Sequence, residues 1–418
     1  MSILDIASLL IVLAAIAGFI NHRFIHLPHT IGLVIIAMVS SLGVLGLNFA
    51  APGLGIGEAV TGLLAQIDFN EALMKGMLSF LLFAGAMHVD LDKLADKKWA
   101  VGLMATMGVI TSTFLIGTAM WWILNALGQP IPYLYALLLG SLISPTDPVA
   151  VLSILKTVSI PKSLEIKIAG ESLFNDGVGV VVFLVILALA TGAGGHGGEM
   201  GPTEVAKLFA LEAFGGAALG LIAGYIAYLA LSALDEFSLE VLITLALVMG
   251  SYALAYHLHV SGPIAVVVAG LLIGNKGMKN AMSENTRDHV EKFWILLDEI
   301  FNSVLFLLIG MEVLVVGFGT DHMLAGLIAI PVVLAARMIA VSIPIRGLGL
   351  MGRQFTKGAV PVLTWGGLRG GISVALALSL PESDYKPVIL TITYIVVVFS
   401  IIVQGLSIKH VIARFVKD

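Results

Sequence analysis

Two carboxylates and an amide occur inside a long apolar segment of this sequence. They belong to the run Gly-Glu-Ser-Leu-Phe-Asn-Asp-Gly at residues 170–177, as Glu171, Asn175 and Asp176. A charged group at membrane depth costs roughly 3 kcal/mol on insertion scales, so such groups usually face the protein interior and serve a function. Ser172 and Asp176 are four residues apart and share one helical face, so both can face one cavity. Oxygen ligands with one titratable carboxylate indicate a site for a hard cation.

Two further stretches carry charge beside residues that interrupt helices. The first is Ser-Pro-Thr-Asp-Pro at residues 144–148, where Pro148 disfavours a helical Asp147 and frees carbonyls near Thr146 as ligands. The second is Trp-Gly-Gly-Leu-Arg-Gly-Gly at residues 365–371, which contains Arg369. We expect Asp147 to neutralise the positive end of a broken helix and Arg369 to neutralise a negative one. Close helix packing is the alternative explanation of the glycines.

The composition identifies an all-α polytopic membrane protein. Of its 418 residues 59% are hydrophobic and 12% are charged, and the mean hydropathy is +1.04, whereas soluble domains are about 25% charged. No hydrophilic run is long enough for a separate soluble domain, so we expect residues 1–418 to form one transmembrane domain. The absence of cysteine excludes disulfides, thiolate metal sites and a cysteine nucleophile.

About thirteen transmembrane spans are predicted. Most of the 22 Lys and Arg residues fall on one side of them, which predicts an outside N-terminus and a cytoplasmic C-terminus. The spans lie near residues 4–21, 31–49, 70–89, 100–126, 132–155, 164–190, 205–232, 239–257, 262–275, 291–317, 323–345, 358–380 and 386–408.

The span count predicts an inverted repeat. Spans 1–6 and 8–13 would be copies of opposite orientation joined by span 7, which pairs span 5 with span 12. Matched interruptions in paired spans are typical of a binding site near the middle of the membrane. We therefore expect crossed broken helices in spans 5 and 12.

For other charged residues the sequence allows more than one ion pair or role. Arg337 lies at a depth that allows an ion pair with Glu171, and a pair between Glu171 and Arg369 is the competing arrangement. Either pair would be structural, because each charge needs an opposite partner in a low dielectric. Asp298 and Glu299 indicate a cytoplasmic funnel or gate, or a solvated helix end.

Three histidines, His88, His257 and His259, lie near the predicted membrane faces. Histidine titrates near neutral pH and could sense it. An interfacial histidine without any role is the alternative.

Enzyme chemistry is poorly supported by the sequence. There is no HExxH motif, no serine–histidine pairing at matched depth and no glycine-rich phosphate loop. We therefore expect no nucleotide, no nucleic acid and no enzymatic turnover.

The buried carboxylate suggests ion exchange instead. Burial favours its protonated form near neutral pH, whereas a bound cation favours the ionised form, so proton and cation compete for Asp176. If access switches only when Asp176 is neutralised, the result is obligatory antiport.

Five motifs resemble those of the NhaP/NHE-type monovalent cation:proton antiporters, and they occur in the order found in that family. They are Ser-Pro-Thr-Asp-Pro-Val-Ala-Val (144–151), Gly-Glu-Ser-Leu-Phe-Asn-Asp (170–176), Phe-Trp-Ile-Leu-Leu-Asp-Glu-Ile-Phe-Asn-Ser-Val-Leu-Phe-Leu-Leu-Ile-Gly (293–310), Thr-Trp-Gly-Gly-Leu-Arg-Gly-Gly-Ile-Ser (364–373) and Val-Gln-Gly-Leu-Ser (403–407).

The resemblance implies exchange of sodium or lithium for protons in a prokaryotic cell membrane, without a cofactor. It implies a core bundle of spans 5, 6, 12 and 13 that moves like an elevator against a bundle containing spans 1 and 8, through which a homodimer forms.

The resemblance also implies residue roles. Asp176 would bind sodium or a proton, with Asn175 beside it and with Ser172 and Thr146 completing the sodium shell. The neighbouring pair Asn175–Asp176 is similar to the electroneutral branch, which implies one cation for one proton. Further implied roles are the balancing of helix ends by Asp147 and Arg369 and a structural ion pair of Glu171 with Arg337.

Two departures from the family pattern stand out. Ala84 occupies the position in span 3 where many relatives carry a glutamate, which leaves a ligand role for span 3 in doubt. The predicted cytoplasmic tail, residues 409–418, is short, unlike the long regulatory tail of animal exchangers. The alternatives to sodium exchange are a potassium/proton antiporter and a passive cation channel.

Overall fold

The computed structural model is all-helical in the part of the chain that it describes. These residues are 3–51, 62, 69, 72–92, 98–147, 162–192, 202–314, 320–352, 355 and 358–416, and no β-strand occurs among them. Nine helices within these ranges are long and apolar enough to cross a membrane. The chain is therefore a multi-pass membrane protein.

The helices are numbered here in chain order, and π-helical turns extend or join several of them. The helices are α1 (Ile3–Ile20), α2 (His29–Ala50), α3 (Leu78–Met87), α4 (Lys98–Ala126), α5 (Tyr133–Ile143), α6 (Lys162–Thr191), α7 (Pro202–Ser232), α8 (Phe237–Leu258), α9 (Gly262–Leu272), α10 (Glu284–Met311), α11 (Thr320–Leu350), α12 (Ala359–Trp365), α13 (Gly371–Leu378), α14 (Lys386–Phe399) and α15 (Gly405–Phe415). The π-helical turns are Asn21–Ile25, Ala72–Met77, Ile273–Gly277 and Ser400–Gln404.

The predicted spans agree with this architecture in outline. Each of them contains at least one described helical segment, but α5, α12 and α13 are too short to cross a membrane alone. Residues 148–155, the second part of span 5, lie outside the described residues. The count of thirteen spans and the inverted repeat therefore stay predictions.

Helix α10 begins well before the predicted start of span 10. Its first residue is Glu284, and Ser283 caps it by accepting a hydrogen bond from the backbone N–H of Thr286 at 3.3 Å. The first turns of α10 are polar and amphipathic, so a search for apolar runs does not detect them.

Small residues allow close contact between α7 and α9. Gly216, Gly220 and Gly224 recur at every fourth position of α7, and a β-carbon at Gly220 would lie 2.2 Å from the carbonyl oxygen of Ala265. Such spacing is a common means of helix association in membranes, where apolar burial between helices contributes little.

Within the described ranges, three apolar cores surround the functional residues, and one of them joins α1, α2 and α10 to α11, α12, α13, α14 and α15. Helices α4, α5, α6, α11, α13 and α14 share a second apolar core, and α3, α7, α8, α9 and α10 share the third. The packing does not show which helices move, so the division into a moving core and a dimerisation bundle stays a prediction.

Candidate functional site

The non-helical segment after α5 bonds to the non-helical segment between α12 and α13. Helix α5 ends at Ile143, and the chain between α12 and α13 is non-helical from Gly366 to Gly370. Where they meet, the backbone N–H of Asp147 donates a hydrogen bond to the carbonyl oxygen of Leu368 at 2.8 Å. The two breaks thus meet in the described residues, while residues 148–155 lie outside them, so the crossing of broken helices in spans 5 and 12 stays a prediction.

Arg369 closes the C-terminal end of α5. Its guanidinium Nη1 donates hydrogen bonds to the carbonyl oxygens of Ser144 and of Pro145, the latter at 2.8 Å. Its backbone N–H donates to Oγ of Ser400 at 2.8 Å. The guanidinium thereby satisfies carbonyls that the end of α5 leaves without helical partners.

Asp147 lies beside the N-terminal end of α13. Gly370 is the N-cap residue of α13, and a β-carbon there would be 2.0 Å from Oδ2 of Asp147. Each charge therefore lies beside the end of the helix in the other segment, Arg369 at α5 and Asp147 at α13.

Asn175 joins α6 to the non-helical segment after α5. Its Oδ1 accepts a hydrogen bond from the backbone N–H of Thr146 at 3.1 Å, and its Nδ2 donates to Thr146 Oγ1 at 2.8 Å. The hydroxyls of Thr146 and Ser172 are 2.9 Å apart. The three residues form one hydrogen-bonded cluster that fixes the segment before Asp147 against α6.

Asp176 lies one position beyond this cluster and is 4% exposed. The charged groups that act on it are Asp147, which carries the same charge, and Arg369, which carries the opposite one. The structure thus brings Asp176, Asp147 and Arg369 together in one buried region.

Glu171 pairs with Arg337 rather than with Arg369. Oε1 of Glu171 is 2.5 Å from Nη1 of Arg337, and these side chains are 1% and 4% exposed. Arg337 Nε also donates to the carbonyl oxygen of Leu363 at 3.4 Å. The pair therefore ties α6 to α11 and α12.

A cavity of about 500 Å³ opens onto Asp176. The residues of α2, α3 and α10 line one wall of it, and those of α6, α13 and the end of α5 line the other. Asp147 and Asp176 both line the cavity, whereas the Thr146–Ser172–Asn175 cluster lies behind its wall. Asp298, which is half-buried, and the exposed Glu299 also line it, at the end where α10 begins.

Of the three histidines that were considered as pH sensors, one lines the cavity and two do not. His88 lines the cavity, and its Nδ1 is 2.6 Å from the carbonyl oxygen of Ala84, which is buried. His257 and His259 are exposed near the C-terminal end of α8 and do not line the cavity.

Sequence reasoning missed several hydroxyl groups at the site. Ser373 and Thr30 line the cavity, and Ser400 supports the break beside Arg369. Serine and threonine are common in membrane helices and carry no charge, so their presence there gives no signal. The sequence feature that could have indicated Ser373 is its position two residues after the glycine-rich break.

Comparisons with known proteins agree with this architecture. The family described as "Sodium/hydrogen exchanger, transmembrane" matches residues 10–414. The Na(+)/H(+) antiporter NhaP of Pseudomonas aeruginosa is 46% identical over 415 residues, which cover 98% of this chain and 96% of that relative. The Na(+)/H(+) antiporter NhaH of Halobacillus aidingensis is 36% identical over 393 residues, or 93% and 92% of the two chains.

A solved structure shares the fold. The sodium proton antiporter MjNhaP1 of Methanocaldococcus jannaschii superposes with a TM-score of 0.73 over 99% of both chains, at 19% sequence identity. At this identity the likeness concerns the fold alone.

Proposed function

Because the chain belongs to the sodium/hydrogen exchanger family of secondary transporters, we propose that it exchanges sodium ions for protons at Asp176. The observation that carries this proposal is the position of the Asp176 side chain. It is 4% exposed and opens onto the cavity beside the point where the two breaks meet. A carboxylate at such a depth must be neutralised, and a proton or a sodium ion can do so in turn.

The neighbouring oxygens suit a small hard cation. The Ser172 and Thr146 hydroxyls belong to the cluster that Asn175, the residue before Asp176, holds behind the cavity wall, and Asp147 lies on that wall. We assign the sodium shell to Asp176, Ser172 and Thr146, with Asn175 positioning Thr146. Asp147 and Arg369 balance the helix ends so that the site has a fixed geometry.

The charges of the site favour an electroneutral exchange of one cation for one proton. Among the described residues, three carboxylates and two guanidinium groups interact there and leave a formal charge of −1, which one monovalent cation or one proton neutralises. They are Glu171, Asp176, Asp147, Arg337 and Arg369. Lys167 is also buried, but its backbone lies about 13 Å from that of Asp176 along α6, and its ammonium lies over the ring of Phe355.

The cavity between the wall formed by α2, α3 and α10 and the wall formed by α6, α13 and the end of α5 supports alternating access. In this proposal the group that contains α5, α6, α13 and α14 moves like an elevator against the group that contains α8, and the neutralised Asp176 moves with it. The second group, with α1, forms the interface of a homodimer. The cavity mouth lies at the membrane face that the Lys and Arg distribution assigns to the cytoplasm.

The test is proton movement in sealed proteoliposomes when sodium, lithium or potassium is added. Wild-type protein and Asp176→Asn are compared, with the membrane potential clamped and then free. We expect sodium-dependent and lithium-dependent proton flux that ignores the potential and vanishes in Asp176→Asn. The order of the three ions measures selectivity.

Two results would contradict parts of this proposal. Flux that generates or follows a potential would exclude the one-for-one stoichiometry. Flux that survives in Asp176→Asn would move the binding group elsewhere, with Asp147 and Glu171 as the next candidates.

A further inference from the structure

Two buried oxygens in the cavity wall have no hydrogen-bond partner among the described residues. They are Oγ1 of Thr30 in α2 and Oδ1 of Asn302 in α10, in side chains that are 4% and 3% exposed. Both residues line the cavity that leads to Asp176. A buried polar group without a partner costs about 1–3 kcal/mol, and a small cation or a water molecule from the adjoining cavity would remove that cost.

The two oxygens lie at the same level on neighbouring helices. Nε2 of His29, the residue before Thr30, is 2.8 Å from Oγ of Ser303, the residue after Asn302. Further along both helices, Ser41 Oγ donates to the carbonyl oxygen of Gly310 at 3.3 Å. Helices α2 and α10 therefore run side by side in the same direction, with Thr30 and Asn302 at one height.

This level is one helical turn from the floor of the cavity. A β-carbon at Gly371 would lie 2.4 Å from Cδ1 of Leu305, so Leu305 marks the height of the break before α13. Asn302 precedes Leu305 by three residues, which is about 5 Å along the helix. Asp298 and Glu299 lie a further turn towards the mouth and supply negative charge there.

The chemistry of this position suits weak and transient binding of a cation. A hydroxyl and an amide carbonyl are neutral oxygen ligands that hard cations accept. Neutral ligands hold a monovalent ion less tightly than a carboxylate does, and conduction through successive sites requires each ion to leave as well as to bind.

We propose that Thr30 and Asn302 form a second binding site, which holds a partly hydrated monovalent cation between the cavity mouth and Asp176. This inference rests on the proposed exchange function, because it assigns a path to the same transported ion. The site belongs to α2 and α10, on the cavity wall opposite Asp176, so it does not move with the α6 carboxylate.

The direct test is thallium binding, because Tl⁺ replaces sodium or potassium and scatters anomalously. Crystals of the full chain are soaked in Tl⁺ as wild type and as Asp176→Asn. We expect an anomalous peak between Thr30 Oγ1 and Asn302 Oδ1 in both, and its loss in the double variant Thr30→Val/Asn302→Leu. A water molecule at this position without an anomalous peak in wild type or Asp176→Asn would overturn the proposal.

A kinetic test uses the same exchange assay with sodium on the cavity side. We expect Thr30→Val and Asn302→Leu each to raise the KM for sodium about fivefold, which corresponds to the loss of one interaction of ordinary hydrogen-bond strength. Thr30→Ser, which keeps the hydroxyl, should restore the KM. An unchanged KM in both variants would contradict the second site.

Ser112→Ala is the matched control. The hydroxyl of Ser112 is also buried without a partner, but it lies in α4 and does not line the cavity. Its KM should equal that of the wild type. The two proposals can fail separately, because exchange that persists in Asp176→Asn refutes the main site while the thallium peak reports on Thr30 and Asn302 alone.

Discussion

We propose that Arg369 and Asp147 each stabilise the helix end of the other broken segment. Arg369 donates to two carbonyls at the end of α5, and Asp147 lies at the first residues of α13. Charges opposite in sign to a helix end typically contribute 0.3–1 kcal/mol at exposed positions and up to about 2 kcal/mol in partly buried geometry. The break can therefore persist without leaving backbone groups unpaired in the membrane.

The ion pair between Glu171 and Arg337 gives a prediction at this scale. We expect Glu171→Gln to lower the free energy of unfolding by about 3 kcal/mol, because Arg337 would stay buried without an opposite charge. The double variant Glu171→Gln/Arg337→Met should be more stable than the single variant. Thermal unfolding of purified protein in detergent measures both differences.

An exposed ion pair of the same chain is the control. Asp288→Asn removes the partner of Lys292, whose Nζ is 2.6 Å from Asp288 Oδ2 on the surface of α10. Such a pair contributes about 0–1 kcal/mol, so this variant should unfold like the wild type. Equal losses in Glu171→Gln and Asp288→Asn would contradict a structural role for the buried pair.

The sequence indicated which residues are charged at depth but not how all of them pair. Asp176, Glu171, Arg337 and Arg369 could be identified because a charge in an apolar run is rare and expensive. The choice of Arg337 over Arg369 as the partner of Glu171 depends on how the helices pack in three dimensions. The spacing along the chain leaves both pairings open.

At the scale of elements, the glycines of the break determine how closely the two segments approach. We expect Gly370→Ala to reduce sodium-dependent proton flux at least about tenfold, because the added β-carbon would overlap the Asp147 carboxylate and displace a charge that orients the site. The proteoliposome assay used for Asp176→Asn measures this effect.

Gly347→Ala is the control for this substitution. Nothing lies within 4 Å of a β-carbon at Gly347, which belongs to α11. Its exchange rate should match that of the wild type. Gly370→Ala protein with normal flux would show that the close approach to Asp147 is not required.

The long helices could be predicted from apolar runs, whereas their departures from regularity could not. The π-helical turn Ser400–Gln404 lies inside an apolar stretch whose sequence predicts a continuous helix. In the structure Ser400 accepts a hydrogen bond from the backbone N–H of Arg369, and Gln404 donates one to the carbonyl oxygen of Trp365. These bonds join residues far apart in the sequence. Hydrophobic periodicity reports only local structure and does not contain them.

For the whole molecule, the cavity predicts access to Asp176 from one face of the membrane. The chain has no cysteine, so single-cysteine variants report accessibility without further engineering. We expect Glu299→Cys, at the cavity mouth, to react with a membrane-impermeant maleimide from the cytoplasmic face. Labelling of inside-out and right-side-out vesicles measures the direction.

His257→Cys is the control from the opposite face. His257 is exposed near the far end of α8 from Phe237, whose ring stacks on that of His289 near the start of α10. His257→Cys should therefore react from the outer face. Labelling of Glu299→Cys from outside would reverse the predicted orientation of the chain.

The meeting of the two breaks also has a consequence for biosynthesis. The hydrogen bond between Arg369 and Ser144 joins residues separated by 225 positions, and the Glu171–Arg337 pair spans 166. During translation, α6 must enter the bilayer with its carboxylates long before α11 and α13 supply the matching groups. Contacts of such long range form late, so the ribosome must synthesise nearly the whole chain before the proposed ion-binding site can form.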